Sequence, residues 1–134
     1  MTTLHKEILT QYFELFNGGY YRTILDLLDE SVVHDTVHLQ AETGKKAYES
    51  FLNRQAECYQ EHVHDVVIMI NDEGTHGAAE YLVTGTYRKT DLGQLPARGQ
   101  VYTIRAGAFF QFNGDKISRV TSYHNLQEWL DKIR

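Results

Sequence analysis

Residues 101–124 read VYTIRAGAFFQFNGDKISRVTSYH, two runs of alternating character joined by the tight turn Asn113-Gly114-Asp115-Lys116. Alternation with period two marks a strand with one buried face, and an Asn-Gly turn folds the second run back antiparallel to the first. In the first run Ile104, Ala106, Ala108, Phe110 and Phe112 share one face, while Thr103, Arg105, Gly107, Phe109 and Gln111 share the other. The first face is the core side. Upstream, HVHDVVIMI (62–70), the turn NDEGTHG (71–77), AAEYLVTGTYRK (78–89) and the loop TDLGQLPARG (90–99) supply two more strands. Parallel pairing needs a crossover of about a dozen residues or more, so four consecutive long strands joined this closely form an antiparallel meander.

Before residue 62 the period is helical. Leu4, Ile8, Tyr12, Leu15 and Phe16 form a first stripe, stopped by Asn17-Gly18-Gly19. A second helix over Tyr20–Leu28 carries Ile24, Leu27 and Leu28, and Asp29-Glu30-Ser31 ends it. A short strand then begins at Val32-Val33 and holds His34 and Asp35. Thr43 reads as the N-cap of a third helix whose inner face is Ala47, Phe51, Leu52, Gln55, Ala56 and Tyr59. After the last strand, Asn125 with Glu128 three positions on caps a short final helix, LQEWLDKIR. The order predicts an α+β fold in one domain, 1–134: a cone-shaped, curved antiparallel sheet wrapped around three N-terminal helices, with a short C-terminal helix. Phe109 faces away from the core, so the outer sheet face is expected to be covered by a second copy of the chain, a homodimer.

With 13 Lys+Arg against 18 Asp+Glu the net charge is -5, and the scattered cations give no phosphate-tracking surface, so no nucleic-acid partner is expected. No stretch approaches the ~20 apolar residues of a membrane span, and the N-terminus lacks a cationic flank before an apolar run. A cytoplasmic protein with no membrane partner is expected. The single cysteine, Cys58, makes no internal disulfide or Cys-based metal cluster, leaving stability to packing.

Three stretches, YFELFNGGYYRTILDLLDESVVHD (12–35), TGKKAYESFL (43–52) and AGAFFQFNGDKISRVTSYHN (106–125), taken in that order, resemble the nuclear transport factor 2-like superfamily, in its SnoaL-like and ketosteroid isomerase-related branch. The resemblance spans nearly the whole chain. It implies that Tyr12 donates a hydrogen bond to a developing oxyanion and that Asp35 moves a proton. The second carboxyl of the isomerase oxyanion site falls at Ala108, which has no donor, and an aromatic of the isomerase pocket falls on His124.

Read as residues, Asp35 sits among β-branched neighbours in VVHDTV. If it points inward, lost hydration raises its pKa toward that of a useful base; otherwise it is a strand-end acid holding backbone donors or facing solvent. His34 lies on the opposite face and reads as a surface or packing residue. Tyr12 is on the helix-one stripe, either a core tyrosine or one whose hydroxyl reaches a cavity, and His124, at the positive end of the final helix, is favoured as neutral imidazole, either a polar group of the site or a ring packed under Trp129. Tyr81, on one face with Ala79 and Val83, joins Val83, Ala108, Phe110 and Trp129 as pocket wall.

His62 and His64 share a strand face, with Glu73 and His76 across a turn, but no later histidine completes a set; His34 and His38 likewise lack a third ligand. No metal and no cofactor are expected, and no phosphate loop, GxSxG elbow or HExxH is present. The expected function is a small-molecule pocket that acts on, or binds, an apolar carbonyl-bearing ligand by isomerase-like proton transfer through Asp35, Tyr12 and His124. The alternatives are a non-catalytic ligand-binding or interaction module of the same fold, and an epoxide hydrolase-like enzyme in which Asp35 and His124 activate water.

Overall fold

In the computed structural model, which describes residues 2–36 and 40–134, the first apolar stripe becomes helix α1, Thr2–Gly18. Its buried side is Ile8, Leu9, Tyr12 and Phe13, while Leu4 is exposed. Gly19 ends it at φ 77°, a left-handed position that glycine reaches without Cβ strain. The second helix is far shorter than its pattern implied: α2 covers Tyr21–Ile24, followed by a 3-10 turn, Leu25–Leu27. Strand β1 already starts at Leu28 and runs to Asp35, through the acidic stretch expected to precede it. The reason is tertiary. Leu28 pairs with Ile117 and His34 with Val120, so a partner strand captures the segment before a helix can extend.

Thr43 lies in a two-residue strand β2, Glu42–Thr43, antiparallel to β1, and does not cap the next helix. That position belongs to Gly44, whose N–H donates to the Val32 carbonyl at 2.7 Å. Helix α3, Lys45–Cys58, buries Tyr48, Leu52 and Cys58, so its inner face is turned from the expected one and Tyr48 is its central anchor. The chain passes from Cys58 directly into β3, Tyr59–Ile70, then β4, His76–Tyr87, β5, Gln100–Asn113, and β6, Lys116–His124. Helix α4, Leu126–Ile133, closes the chain; the Asn125 side chain accepts from the Glu128 N–H at 3.0 Å, the expected cap.

All six strands form one open, curved sheet in the order β2-β1-β6-β5-β4-β3. The four long strands pair antiparallel as their short connections predicted, and the long connection through α3 lets β1 lie parallel to β6. Helices α1 and α3 cover the concave face. Ile104, Ala108, Phe110 and Phe112 are buried on it; Phe109 is 55% exposed on the convex face, where its ring meets Tyr123 at 5.8 Å. A bulge after His64, with Asp65 at φ 54°, re-phases β3 so that Tyr59, Glu61 and Val63 point inward before it and Val66, Ile68 and Ile70 after it. Asn17 clamps the strand just before the bulge: its side chain accepts from the Val63 N–H at 2.7 Å and donates to the Val63 carbonyl at 2.8 Å. Among the described residues no helix is long and apolar enough to cross a membrane.

Candidate functional site

Where the helices fail to cover the sheet, a cavity of about 170 Å3 opens between α1, α3, the inner face of β3–β6 and α4. That is far more than the roughly 10–15 Å3 needed for a single water. Phe13, Phe16, Val63, Val83, Ile104 and Trp129 supply apolar wall, and the polar groups stand at distinct places within it.

Tyr12 reaches in from α1 and Tyr48 from α3, and their hydroxyls share a short hydrogen bond. Burial pushes the Tyr12 phenol up to about 12, only partly offset by the bond from Tyr48, and burial together with Tyr12 raises Tyr48 further. Both phenols stay protonated. In such a pair one O–H is spent on the partner oxygen and the other remains free to donate to a ligand. Tyr81 also lines the cavity, its pKa raised first by burial and further by its neighbours Tyr12 and Glu61.

Among the described residues two carboxyls line the cavity, Asp91 and Glu61, and Glu61 is the one on β3. Tyr102 donates its hydroxyl to Oε2, and Gln55 Nε2 donates to Oε1 at 2.6 Å. Burial raises its pKa, with these two donors restraining the rise. Tyr102 reaches Glu61 by lying flat over Gly85, its cross-strand partner: a Cβ there would sit 2.5 Å from the ring. Sequence reasoning missed Glu61 because the strand was started at His62, one residue too late to count it in the alternation. It missed Tyr48 because the face of helix three was phased on Phe51. A stripe of Tyr48, Leu52 and Gln55, at i, i+4 and i+7, was the available signal.

The expected base is elsewhere. Asp35 pairs in register with Thr121, not with the inward Val120, and so lies on the convex face, outside the cavity. Arg119 grips it with two bonds, Nε to Oδ2 at 2.8 Å and Nη2 to Oδ1 at 3.0 Å, and Thr121 adds a third at 2.8 Å. Burial alone would raise its pKa, but these donors and the Arg119 charge outweigh it and hold the carboxyl below its usual range. This is the reverse of a poised base. His34, read as a surface or packing residue on the far side, is instead the cavity-facing member of the pair, 5% exposed and against Tyr48 and Phe51 at ring distances of 4.7 and 4.4 Å. Burial lowers its pKa to about 4, so it is a neutral imidazole at pH 7.

Among the other anticipated residues, Tyr12, His124, Tyr81, Val83 and Trp129 line the cavity, with His124 and Trp129 rings 6.2 Å apart. Ala108 and Phe110 face the same way but lie beneath it, Phe110 under Tyr12 and Phe13 at 5.6 and 6.1 Å. His62 and His64 stack on the outer face at 5.9 Å, and His38 lies outside the described residues. Among the described residues no group of three or more His, Cys, Asp or Glu is placed to hold a metal ion. Arg54 and Asp91 complete the lining, with Nε and Oδ1 3.5 Å apart; Tyr59 donates to Asp91 Oδ2 at 2.8 Å.

The model of the SnoaL-like domain family matches residues 9–120. Three crystal structures overlay nearly the entire chain. A candidate polyketide cyclase from Xanthomonas campestris pv. campestris is 41% identical, with 98% of each chain covered and a TM-score of 0.94. A second, from Pseudomonas putida KT2440, is 38% identical over 97% of this chain and 98% of its own, TM-score 0.95. A third, from Silicibacter sp. TM1040, is 36% identical over 97% and 95%, TM-score 0.93. No curated protein matches the sequence.

Two measurements check the electrostatics and packing. Because the folded pKa of His34 is depressed from 6.5, the unfolded chain takes up a proton first, and His34 contributes stability that is present above about pH 6.5 and is lost as pH falls toward 4. The size is about 3 kcal/mol. Thermal melts of His34→Gln should therefore flatten over that window relative to wild type; parallel curves would contradict a buried neutral imidazole. Gly85→Ala should cost about 1–3 kcal/mol by forcing Tyr102 off its seat, and a melt unchanged from wild type would show that the ring moves freely.

Proposed function

The chain belongs to the SnoaL-like domain family of the nuclear transport factor 2-like superfamily, and we propose that its cavity carries out proton transfer on a small, mostly apolar, carbonyl-bearing molecule. The observation that carries this reading is the joint presence, in one aromatic-walled cavity, of a carboxyl with a raised pKa and a phenol pair with one spare donor. Ionised Glu61 takes a proton from the carbon beside a carbonyl. The carbonyl oxygen, gaining negative charge, accepts the free O–H of the Tyr12–Tyr48 pair, whose worth grows as that charge develops. Return of the proton to another carbon completes an isomerisation. Attack of the enolate carbon on a second carbonyl of the same molecule instead closes a ring, and the new alkoxide takes the proton back from Glu61. Relatives at 36–41% identity that are candidate polyketide cyclases support the ring-closing course. The reaction needs no cofactor. His34 and His124, lining the same cavity, orient the ligand's other oxygens by hydrogen bonding.

One observation favours a second reading, a binding module: both oxygens of Glu61 already hold a donor. Incorporation of deuterium into 2-tetralone in D2O separates the two without knowledge of the natural substrate. Wild type should accelerate exchange, Glu61→Gln should lose about 100-fold or more, and Tyr12→Phe a similar factor with little change in ketone affinity. The base must be ionised, so the rate should rise with pH through a value above the usual glutamate range. Bound ketone without exchange in wild type would leave the binding module.

We also infer that the convex sheet face joins two copies of the chain. Phe109, Tyr123, Val101, Met69 and Val67 are exposed there, and beside them Arg105 pairs with Glu80 at 3.6 Å and Arg119 with Asp35. A second copy thus meets apolar surface flanked by cations that already have partners. Sedimentation at micromolar concentration should give a dimer that Phe109→Asp converts to monomer; a wild-type monomer would end this reading.

A further inference from the structure

Resting on the reading that the cavity receives a carbonyl-bearing ligand, we infer that Arg54 binds an anionic end of that ligand, so that the substrate class is an apolar keto acid. Of the described residues that line the cavity, Arg54 is the one that carries a permanent positive charge. It stands on α3 one turn beyond the Tyr48–Phe51 wall, and its side chain is 45% exposed, which places the guanidinium at the opening, not in the floor.

Its own counter-charge engages it weakly. Asp91 Oδ1 lies 3.5 Å from Nε, and its other oxygen accepts from the Tyr59 hydroxyl at 2.8 Å. Among the described residues the Arg54 guanidinium donates no hydrogen bond, so its N–H groups are left to present a planar fork of donors. A carboxylate matches that fork with two parallel bonds, whereas a neutral carbonyl or hydroxyl oxygen uses one of them. The charge also reaches inward: Arg54 helps depress the His34 imidazole, which touches Tyr48. An acid held at Arg54 therefore directs its apolar body past His34 toward the Tyr12–Tyr48 pair and Glu61. Asp91, in the segment between β4 and β5, competes with that acid and sets how strongly the fork is available.

The test uses 4-oxo-4-phenylbutanoate and 4-oxo-4-phenylbutanamide, which share one ketone body and differ in the charge of one end. Trp129, the sole tryptophan, lines the cavity, so its indole N–H resonance reports occupancy for either probe during an NMR titration. The acid should bind about tenfold more tightly than the amide, an effect scaled down from a buried pair because the site is half open. Arg54→Gln should bring the ratio to about one while leaving amide affinity unchanged, which also shows that the variant is folded. Asp91→Asn should raise the ratio above that of wild type. Equal binding of acid and amide by wild type, or a ratio that survives in Arg54→Gln, overturns the assignment of Arg54 and leaves the cavity reading standing. If neither probe moves the Trp129 resonance, the cavity reading falls and this assignment falls with it.

Discussion

The bond between Tyr12 and Tyr48 is the point on which the rest of the molecule hangs. It ties α1 to α3 across the concave face of the sheet, and both hydroxyls are buried, so neither helix can shift without leaving a phenol unsatisfied at a cost of about 1–3 kcal/mol. Because a phenol is long, the bond holds the helices apart as well as together. Two leucines at these positions would be too short to meet; two tyrosines joined tip to tip span the gap between the helices and form one wall of the cavity. The cavity thus follows from how the helices are fastened.

From that hollow the distribution of charge follows by strand alternation. His34 and Asp35 are neighbours in β1, one facing the dry interior and the other the convex surface, and burial and pairing move their pKa values for opposite reasons. The imidazole loses its proton because the neighbouring Asp35 charge offsets only part of the lost hydration. The carboxylate keeps its charge because Arg119 and Thr121 supply three donors. Glu61 lies between these cases, inside but held by two neutral donors, and so is raised without being locked as an acid. A carboxyl in that state exchanges protons with a carbon acid more readily than one clamped by a guanidinium.

The isomerase comparison is instructive for the same reason. The similarity of order and pattern is genuine at the level of the family, but the acid it assigned to proton transfer is used here to bind β1 to β6. Chemistry in this fold depends on which side chains face the cavity, and a carboxyl entering from β3 can stand where one from β1 does not.

How much was legible in the residues alone is clear from particular stretches. The four long strands, their antiparallel order, the inner face of β5, the first helix and the Asn125 cap were all readable, because period-two and period-3.6 patterns and tight turns are local properties of the chain. The inward face of Tyr81 followed from the same arithmetic. Beyond that reach lay the early start of β1, which exists because β6 is beside it, and the two-residue β2, which exists because β1 is. The start of β3 at Tyr59 decided that Glu61 faces inward, and the register with Val120 and Thr121 decided that His34 does and Asp35 does not. Alternation says only that neighbours face opposite ways. Which of the two faces the cavity is set by where the strand docks, a long-range pairing energy that no short window of sequence contains.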